Sequence, residues 1–431
     1  MIILCMDIAL FDLYTTGHHL SYAARIKRAL ETVSEDEVTF ITLSETSQCK
    51  DWFDSDEIDY IDAPDAPPLE NRDRSFRNIV DEKISEFCSK GMLEQYDVVH
   101  FLYADDIFGP LWRHCPRTTE TQLIAELNGV FFHRGTVLQR KQIHSTWLRL
   151  LQSPVGRLID HALPNRTDHE SLWADVYLYR FLNRGTFDHV VVHSMEAADY
   201  LSRLNPRQAS TITKIPYPAP TDFGTDISKS AARDRLGLPS DDPLLLFFGG
   251  MRTERGIDIL LDALRQYDET SFTMFLAGPP TAVSEREIEC IDDESVVNII
   301  YEFGFIDTPE LYYRASDAVI LPYTWQYGQE RASQMFEEIC GAARPVIVPD
   351  FGVLGRLTEE WELGTTYEQE SVHSLTSVLA KFARDEISYS TAQMEEYNTK
   401  HSYKQTATTL SRIYTSSQQP QENLSADIIQ P

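Results

Sequence analysis

Two glutamates in the last third of the chain, Glu330 and Glu338, have seven residues between them and precede a short apolar run at 346–348. If residues 333–340 form a helix, rotation of about 100° per residue keeps the two carboxylates off one helical face, so we expect Glu330 in the loop ahead of the helix. The N-terminus of such a helix would face a cleft, where its unpaired backbone N–H groups attract anions. The two carboxylates could accept hydroxyl groups of a polar ligand such as a sugar. Two solvated helix charges are the alternative in so acidic a chain.

Alternating apolar runs and helical patterns in the first half of the chain predict a parallel sheet covered by helices. The predicted strands are 2–6, 38–43, 96–103, 123–127, 189–192 and 211–215, and the predicted helices include 20–30 and 75–88. The opening ten residues lack a basic region and carry Asp7, so we interpret them as a first strand and not as a signal peptide. Asp105 and Asp106 follow the strand at 96–103, and we expect them to cap the next helix.

Three prolines within residues 215–220 exclude a helix or a central strand there and predict a linker. Beyond the linker the pattern restarts, with predicted strands at 244–248, 272–276, 297–301, 318–321 and 346–348 and helices at 257–264, 309–315 and 333–340. The segment 372–414 is predicted to be mostly helical. We therefore predict four parts: an N-terminal domain (1–218), a C-terminal domain (219–394), a C-terminal helix (395–415) and a disordered polar tail (416–431).

The composition narrows the class of protein. With 67 acidic against 38 basic residues the formal net charge is −29, which argues against a nucleic-acid partner and is consistent with a halophilic source. The six cysteines show no Cys-x-x-Cys spacing, so neither a zinc site nor a disulfide framework is expected. No apolar run approaches the length of a membrane span. We expect a cytoplasmic protein.

The segment 131–166 departs from the acidic trend, because it has six basic residues and one acid, Asp160, interleaved with apolar side chains. A basic amphipathic helical segment of this kind could contact an anionic membrane or a phosphate group. The alternative is a helix packed on the sheet, with arginine stems lying over its edge.

The run at 244–261, LLLFFGGMRTERGIDILL, resembles the start of the second domain of GT-B glycosyltransferases, in particular the large retaining glycosyltransferase family 4. The resemblance continues through 275–278, 304–306, 311–322 and 329–348. It implies an α/β GT-B fold, with two Rossmann-like doubly wound domains that face each other across a cleft. It also implies that the C-terminal helix crosses back to the N-terminal domain.

The resemblance assigns roles to residues of the second domain. Arg252 and Arg255, which follow Gly249 and Gly250, would hold the diphosphate of a nucleotide-sugar donor. Such cations stabilise the charge that a leaving diphosphate gains as the glycosidic bond breaks. By position, the catalytic Glu330 would touch the donor sugar. The substrate-binding Glu338 would bind the ribose of the nucleotide.

This chain departs from the family at the turn after the first glutamate. Arg331 and Ala332 stand where relatives have glycines whose backbone amides reach the phosphates, so Arg331 could supply an extra cation. Ala343 replaces the small glycine expected before Arg344.

The first domain carries weaker candidates for substrate binding. Gly17 corresponds to a glycine loop that reaches the cleft, and His18, next to His19, could point at donor or acceptor. Asn128 occupies the place where many relatives have a histidine near the reacting sugar, and the nearest histidine is His133. Each histidine taken alone is more often a surface or helix-capping residue.

These features together predict a glycosyltransferase that moves a sugar from a nucleotide-sugar donor to an acceptor hydroxyl. Retention of the anomeric configuration is implied by the resemblance alone. The acceptor could be a soluble sugar or a lipid-linked one at the inner face of the cell membrane, and neither a metal ion nor another cofactor is expected. Two alternatives stay open: a catalytically impaired GT-B partner in a glycosylation complex, and a GT-B nucleotide-sugar epimerase.

Overall fold

Buried apolar runs in the first half of the chain form a seven-stranded, fully parallel sheet with the order β3-β2-β1-β4-β5-β6-β7. The computed structural model describes residues 5–14, 18–43, 49–61, 74–89, 91–116, 119–128, 181–221, 223 and 226–416. The strands of this sheet are β1 (Asp7–Phe11), β2 (Glu37–Thr42), β3 (Ile58–Tyr60), β4 (Val98–Phe101), β5 (Gln122–Leu127), β6 (His189–Val192) and β7 (Ile212–Lys214). The helices described around it are α1 (His18–Val33), α2 (Cys49–Trp52), α3 (Arg74–Ser89), α4 (Ala104–His114) and α5 (Met195–Leu204).

The second half of the chain forms a six-stranded parallel sheet with the order β10-β9-β8-β11-β12-β13. Its strands are β8 (Leu244–Phe248), β9 (Thr273–Ala277), β10 (Asn298–Glu302), β11 (Ala318–Ile320), β12 (Val346–Pro349) and β13 (Gly364–Tyr367). The helices of this half are α6 (Lys229–Leu236), α7 (Ile257–Gln266), α8 (Glu285–Glu294), α9 (Pro309–Ala315), α10 (Gln334–Gly341), α11 (Gly352–Glu360), α12 (Val372–Ala383), α13 (Thr391–Lys400) and α14 (Tyr403–Ser416). Two parallel sheets with covering helices confirm the predicted α/β class.

The strand predicted at residues 2–6 is wrong in position. The first strand begins at Asp7, whereas Cys5 and Met6 precede it and residues 1–4 lie outside the described ranges. The reason is burial: Ile8 pairs with Val38 on one side and Val98 on the other, so the run from Ile8 onward fills the sheet interior. Asp7 is tolerated at the strand start because it is exposed there, and its backbone N–H donates to Oδ2 of Asp97 at 2.9 Å.

The prediction that Asp105 and Asp106 cap a helix is also wrong. Helix α4 already begins at Ala104, and its N-cap residue Tyr103 makes no side-chain capping hydrogen bond. Asp105 lies within the first turn and is fully buried, and its carboxylate accepts the backbone N–H of Asn128 at 3.2 Å. Asp105 therefore ties the start of α4 to the end of β5.

The last helix, α14, packs against α1 of the first half of the chain. Its buried residues Leu410, Ile413 and Tyr414 belong to the same apolar core as the first sheet. The Tyr414 hydroxyl lies 2.8 Å from Nδ1 of His100 on β4, and both groups are buried. Residues after Ser416, including most of the predicted tail, lie outside the described ranges, as does the basic segment 131–166.

Within the part of the chain that the structure describes, no helix has the length and apolar character needed to cross a bilayer.

Candidate functional site

The carboxyl end of β8 forms a turn in which an arginine lies against glycine backbone. Gly249 has φ +93°, and a Cβ atom built there would lie 2.3 Å from Nη1 of Arg255. A side chain at position 249 would therefore displace the guanidinium group. Gly250 lies beside Arg252, whose Nε would be 3.7 Å from a Cβ at that position. The two glycines and the two arginines therefore lie together at the carboxyl end of β8.

Gly256 closes this turn and starts helix α7. It has φ +73°, and a Cβ atom there would lie 1.7 Å from the carbonyl oxygen of Pro322. Only glycine permits that approach, because it both adopts the left-handed conformation and leaves room for the neighbouring backbone. Pro322 follows β11, so this contact places the arginine turn beside the carboxyl end of the adjacent strand.

Three guanidinium groups make this end of the sheet electropositive. Burial, reinforced by the nearby charges of Arg255 and Arg331, lowers the pKa of Arg252, although Glu254 at 3.1 Å offsets part of the effect. Nε of Arg255 is buried and has no hydrogen-bond partner among the described residues. The guanidinium group of Arg331 lies 4.4 Å from the ring centre of Tyr327. Clustered cations of this kind suit a polyanion such as a diphosphate.

Glu330 occupies the turn ahead of α10, as the spacing predicts. The N-cap residue of the helix is Ser333, whose side chain accepts the backbone N–H of Phe336 at 3.4 Å. Glu330 lies three residues earlier and is only 3% exposed. Its backbone carbonyl accepts the hydroxyl hydrogen of Ser194 at 2.6 Å. The turn therefore touches the first domain.

Glu338 lies on α10 and is partly buried. Burial raises the pKa of its carboxyl to about 7, even though Arg25 and two hydrogen bonds favour the charged form. Tyr313 donates its hydroxyl hydrogen to Oε2 at 3.3 Å, and Gln334 donates an amide hydrogen to Oε1 at 3.1 Å. Two polar donors already orient the carboxylate, which leaves it able to accept hydroxyl groups of a ligand.

The neighbouring carboxylate, Glu337, is buried and holds two helices together. It is 2% exposed, and it accepts the hydroxyl hydrogen of Tyr397 on α13 at 2.8 Å. This hydrogen bond fastens α10 to α13, so the two adjacent glutamates face different surroundings.

The turn that departs from the family pattern lies at the contact between the two halves of the chain. Ala332 packs against the apolar core of the first sheet. Its backbone carbonyl accepts the Tyr327 hydroxyl hydrogen at 3.1 Å.

The second departure from the family pattern lies after α10. Ala343, where glycine was expected, adopts a positive φ of 53°. The backbone therefore keeps a conformation that favours glycine even though the residue is alanine.

The first-domain candidates are only partly described. Gly17 and His133 lie outside the described ranges, and the side chain of His18, the first residue of α1, is not described either. Asn128 donates its side-chain amide to the backbone carbonyl of Leu102 at 2.7 Å, while its Oδ1 is buried without a partner among the described residues. Next to His18, His19 contacts Asp12 through Nδ1 at 2.9 Å.

A buried cluster around Glu126 was not predicted. Glu126, on β5, is 1% exposed and accepts the Tyr22 hydroxyl hydrogen at 2.8 Å. Burial disfavours its charge, but the contacts with His193 and His100 outweigh burial and hold its pKa at about 2. The signal was present in the sequence, since a lone carboxylate inside the buried strand QLIAEL needs partners. What the sequence did not show was which histidines they are.

Comparisons with solved structures identify the fold. A sucrose-phosphate synthase from Thermosynechococcus elongatus superposes with a TM-score of 0.66 at 17% identity, covering 96% of this chain and 99% of that one. The Anabaena protein HepE in complex with UDP superposes with a TM-score of 0.63 at 12% identity, covering 95% of this chain and 100% of that one. The chain therefore has the GT-B fold.

Comparisons of sequence find two similarities. Residues 228–401 match the model of the family described as glycosyl transferases group 1. A D-inositol 3-phosphate glycosyltransferase of Xylanimonas cellulosilytica is 32% identical over 150 residues, which are 31% of this chain. The aligned part is 35% of that relative, so the match spans about a third of its length.

Proposed function

We propose that the chain is a glycosyltransferase that moves a sugar from a nucleoside-diphosphate sugar onto an acceptor hydroxyl. The observation that supports the proposal is the electropositive cluster of Arg252, Arg255 and Arg331 at the carboxyl end of the second sheet. In the proposed site these cations stabilise the charge that develops on the leaving diphosphate. Glu330 contacts the donor sugar, and Glu338 accepts hydroxyl hydrogens of the ribose.

Retention of the anomeric configuration, as in glycosyltransferase family 4, is part of the proposal. It is supported by the resemblance of 244–261 and 329–348 to that family. The anomeric configuration of the product, read by NMR before it equilibrates, tests this point, and an inverted product would contradict it.

UDP is the first donor nucleotide to test, because the structurally similar HepE has been crystallised with UDP. For the acceptor, the two named relatives suggest a phosphorylated polyol or sugar. A lipid-linked acceptor at the inner face of a membrane is the second candidate, motivated by the basic segment 131–166. Co-sedimentation with anionic vesicles at low salt separates the two, since only the lipid-linked acceptor requires membrane binding.

We further propose that the reaction needs no metal ion. The three arginines supply the positive charge that a divalent cation would otherwise bring to the diphosphate. Turnover should therefore persist in EDTA, and strict dependence on a divalent ion would contradict this.

The experiment that tests the function is incubation of the purified chain with UDP-, GDP- and ADP-sugars, with and without acceptors, followed by quantification of nucleoside diphosphate and sugar products. Transfer to an acceptor supports the proposal. Isomerised donor in the absence of acceptor would identify an epimerase. Nucleotide binding without any transfer or hydrolysis would identify a catalytically impaired GT-B protein.

A further inference from the structure

Consecutive backbone carbonyls hold the turn of Glu330 from the two sides of the cleft. The carbonyl of Gln329 accepts the backbone N–H of Val353, the second residue of α11, at 3.1 Å. The carbonyl of Glu330 accepts the hydroxyl hydrogen of Ser194, at the start of α5 in the first domain, at 2.6 Å. The peptide that carries the Glu330 side chain is thus fixed by both domains together.

Ser194 has two roles that can be separated chemically. Its Oγ accepts the backbone N–H of Ala197 at 3.0 Å, which caps α5, and its hydrogen goes to the Glu330 carbonyl. A hydroxyl has one hydrogen to donate and two lone pairs to accept with, so both bonds form at once. Ser194 is 1% exposed, so water does not readily replace either partner.

The residue before Ser194 is anchored on both sides of its ring. Nδ1 of His193 lies 3.0 Å from the carbonyl oxygen of Ile215, and Nε2 lies 3.2 Å from Oε1 of Glu126. Both ring nitrogens therefore face oxygen atoms that accept hydrogen bonds. Because Glu126 is itself buried and held by Tyr22, the backbone that presents Ser194 has little freedom to move.

Glu196, two residues further on, makes a second contact across the cleft. Its carboxylate pairs with Arg356 on α11 through two bonds, Nε to Oε1 at 2.6 Å and Nη2 to Oε2 at 3.2 Å. Helix α11 is the same helix whose start holds Gln329. The start of α5 therefore contacts both the turn of Glu330 and the helix behind that turn.

We propose that Ser194 and Glu196 are positioning residues for the transfer reaction: from the first domain they fix Glu330 at the donor sugar. This inference rests on the proposed function, because it assigns Glu330 to the sugar. It requires the two domains to meet at α5 for full activity, since the second domain supplies the bond to the Gln329 carbonyl and the first domain supplies the bond to the Glu330 carbonyl.

The test uses substitutions of Ser194 in the full chain. Ser194→Asp keeps an oxygen that caps α5 but has no hydrogen to donate to the Glu330 carbonyl, and Ser194→Thr keeps both functions. We expect Ser194→Asp to lower kcat by about threefold to thirtyfold or more, because the hydrogen bond to Glu330 is lost and the buried carboxylate also repels the Glu330 carbonyl oxygen. The donor KM should stay within about twofold, because the Ser194 hydroxyl bonds a backbone carbonyl and none of the side chains proposed to bind the nucleotide. Ser194→Thr should retain the kcat of the wild-type chain.

A matched control separates positioning from helix capping. Ser284 caps α8, which has ten residues like α5, and its side chain accepts the backbone N–H of Glu287 at 3.3 Å. Ser284→Ala should lower the melting temperature as any lost cap does, with kcat unchanged. A kcat loss in Ser194→Asp that exceeds the loss in Ser284→Ala therefore reports positioning.

A second variant keeps the inference testable if Ser194→Asp does not fold. Glu196→Gln removes the charge that pairs with Arg356, and it should lower kcat about twofold to fivefold. Wild-type kcat in the folded Ser194→Asp or, failing that, in Glu196→Gln would overturn the positioning role while leaving the proposed function intact. Absence of turnover by the wild-type chain would instead be a failure of the proposed function.

Discussion

Arg252 and Arg255 form the diphosphate end of the proposed donor site. Losing one charge-assisted hydrogen bond costs roughly 1.5 to 3 kcal/mol, so Arg252→Ala or Arg255→Ala should lower turnover about tenfold to a hundredfold. Steady-state kinetics with the best donor of the screen measure this loss. Arg265→Ala is the control, because that arginine lies on α7 and pairs with Asp262 and Glu287. Two site variants with wild-type kinetics would reject the assignment.

Glu338 should make nucleotide binding depend on pH. Burial raises the pKa of this carboxyl from the ordinary 4.5 to about 7. The folded chain therefore retains a proton that the unfolded chain loses, so the stability contributed by Glu338 is fully present below pH 4.5 and is lost as the pH rises to about 7. Ribose hydroxyls donate to the ionised form, so nucleotide affinity should change in the opposite direction.

Calorimetric titration with UDP measures this dependence. We expect the affinity of the wild-type chain to rise between about pH 6 and 8, as Glu338 ionises. In Glu338→Gln the affinity should be weaker and the rise should disappear. A rise of equal size in both proteins would show that another group is responsible.

At the residue scale the sequence predicted which residues lie together when they are close in the chain, and it did not predict contacts between distant residues. Arg252 and Arg255 share one turn, and Glu330 precedes the helix start at Ser333. The bond between Ser194 and Glu330 joins residues 136 positions apart. A serine at a helix start predicts a cap, but only the folded chain shows where its hydrogen goes.

The arginine turn ends at Gly256, which lies against the backbone of Pro322. Gly256→Ala combines a left-handed conformation with a Cβ atom 1.7 Å from the Pro322 oxygen. We expect it to lower the free energy of unfolding by about 3 kcal/mol or more, measured by urea denaturation.

Gly237→Ala is the matched control for this substitution. Gly237 has φ +65° and no atom within 4 Å of a Cβ built there, so alanine meets only the backbone strain. That strain costs about 1 kcal/mol. Equal losses in the two variants would show that the contact with Pro322 yields without cost.

At the element scale the bounds of several elements were predicted correctly from apolar runs or helical patterns. The strands at 189–192 and 244–248 and the helix at 309–315 have the predicted bounds. Strand β13, Gly364–Tyr367, was missed because its sequence GTTY has one buried residue and no apolar run. Strand β3, Ile58–Tyr60, was missed because three residues are too few to establish a period.

For the whole molecule the α/β class was predictable because the strand and helix pattern starts twice, once on each side of the prolines at 216–220. The packing of α14 against the first sheet was not predictable from periodicity. An amphipathic helix shows that one face is buried, but the partner of that face is decided by the folded chain. Only the resemblance to known enzymes implied that this helix crosses back.

The proposed function requires a nucleoside diphosphate to bind between the arginine turn and Glu338. The most direct measurement is the change in melting temperature of the full chain on addition of UDP, GDP or ADP, compared with an Arg252→Ala/Arg255→Ala double variant. Ligand at about a hundred times its Kd adds about 2.7 kcal/mol of stability, so one nucleotide should raise the melting temperature of the wild-type chain by several degrees. The double variant should show little or no rise. No rise with any nucleotide, or an equal rise in both proteins, would show that a nucleoside diphosphate does not bind at these arginines.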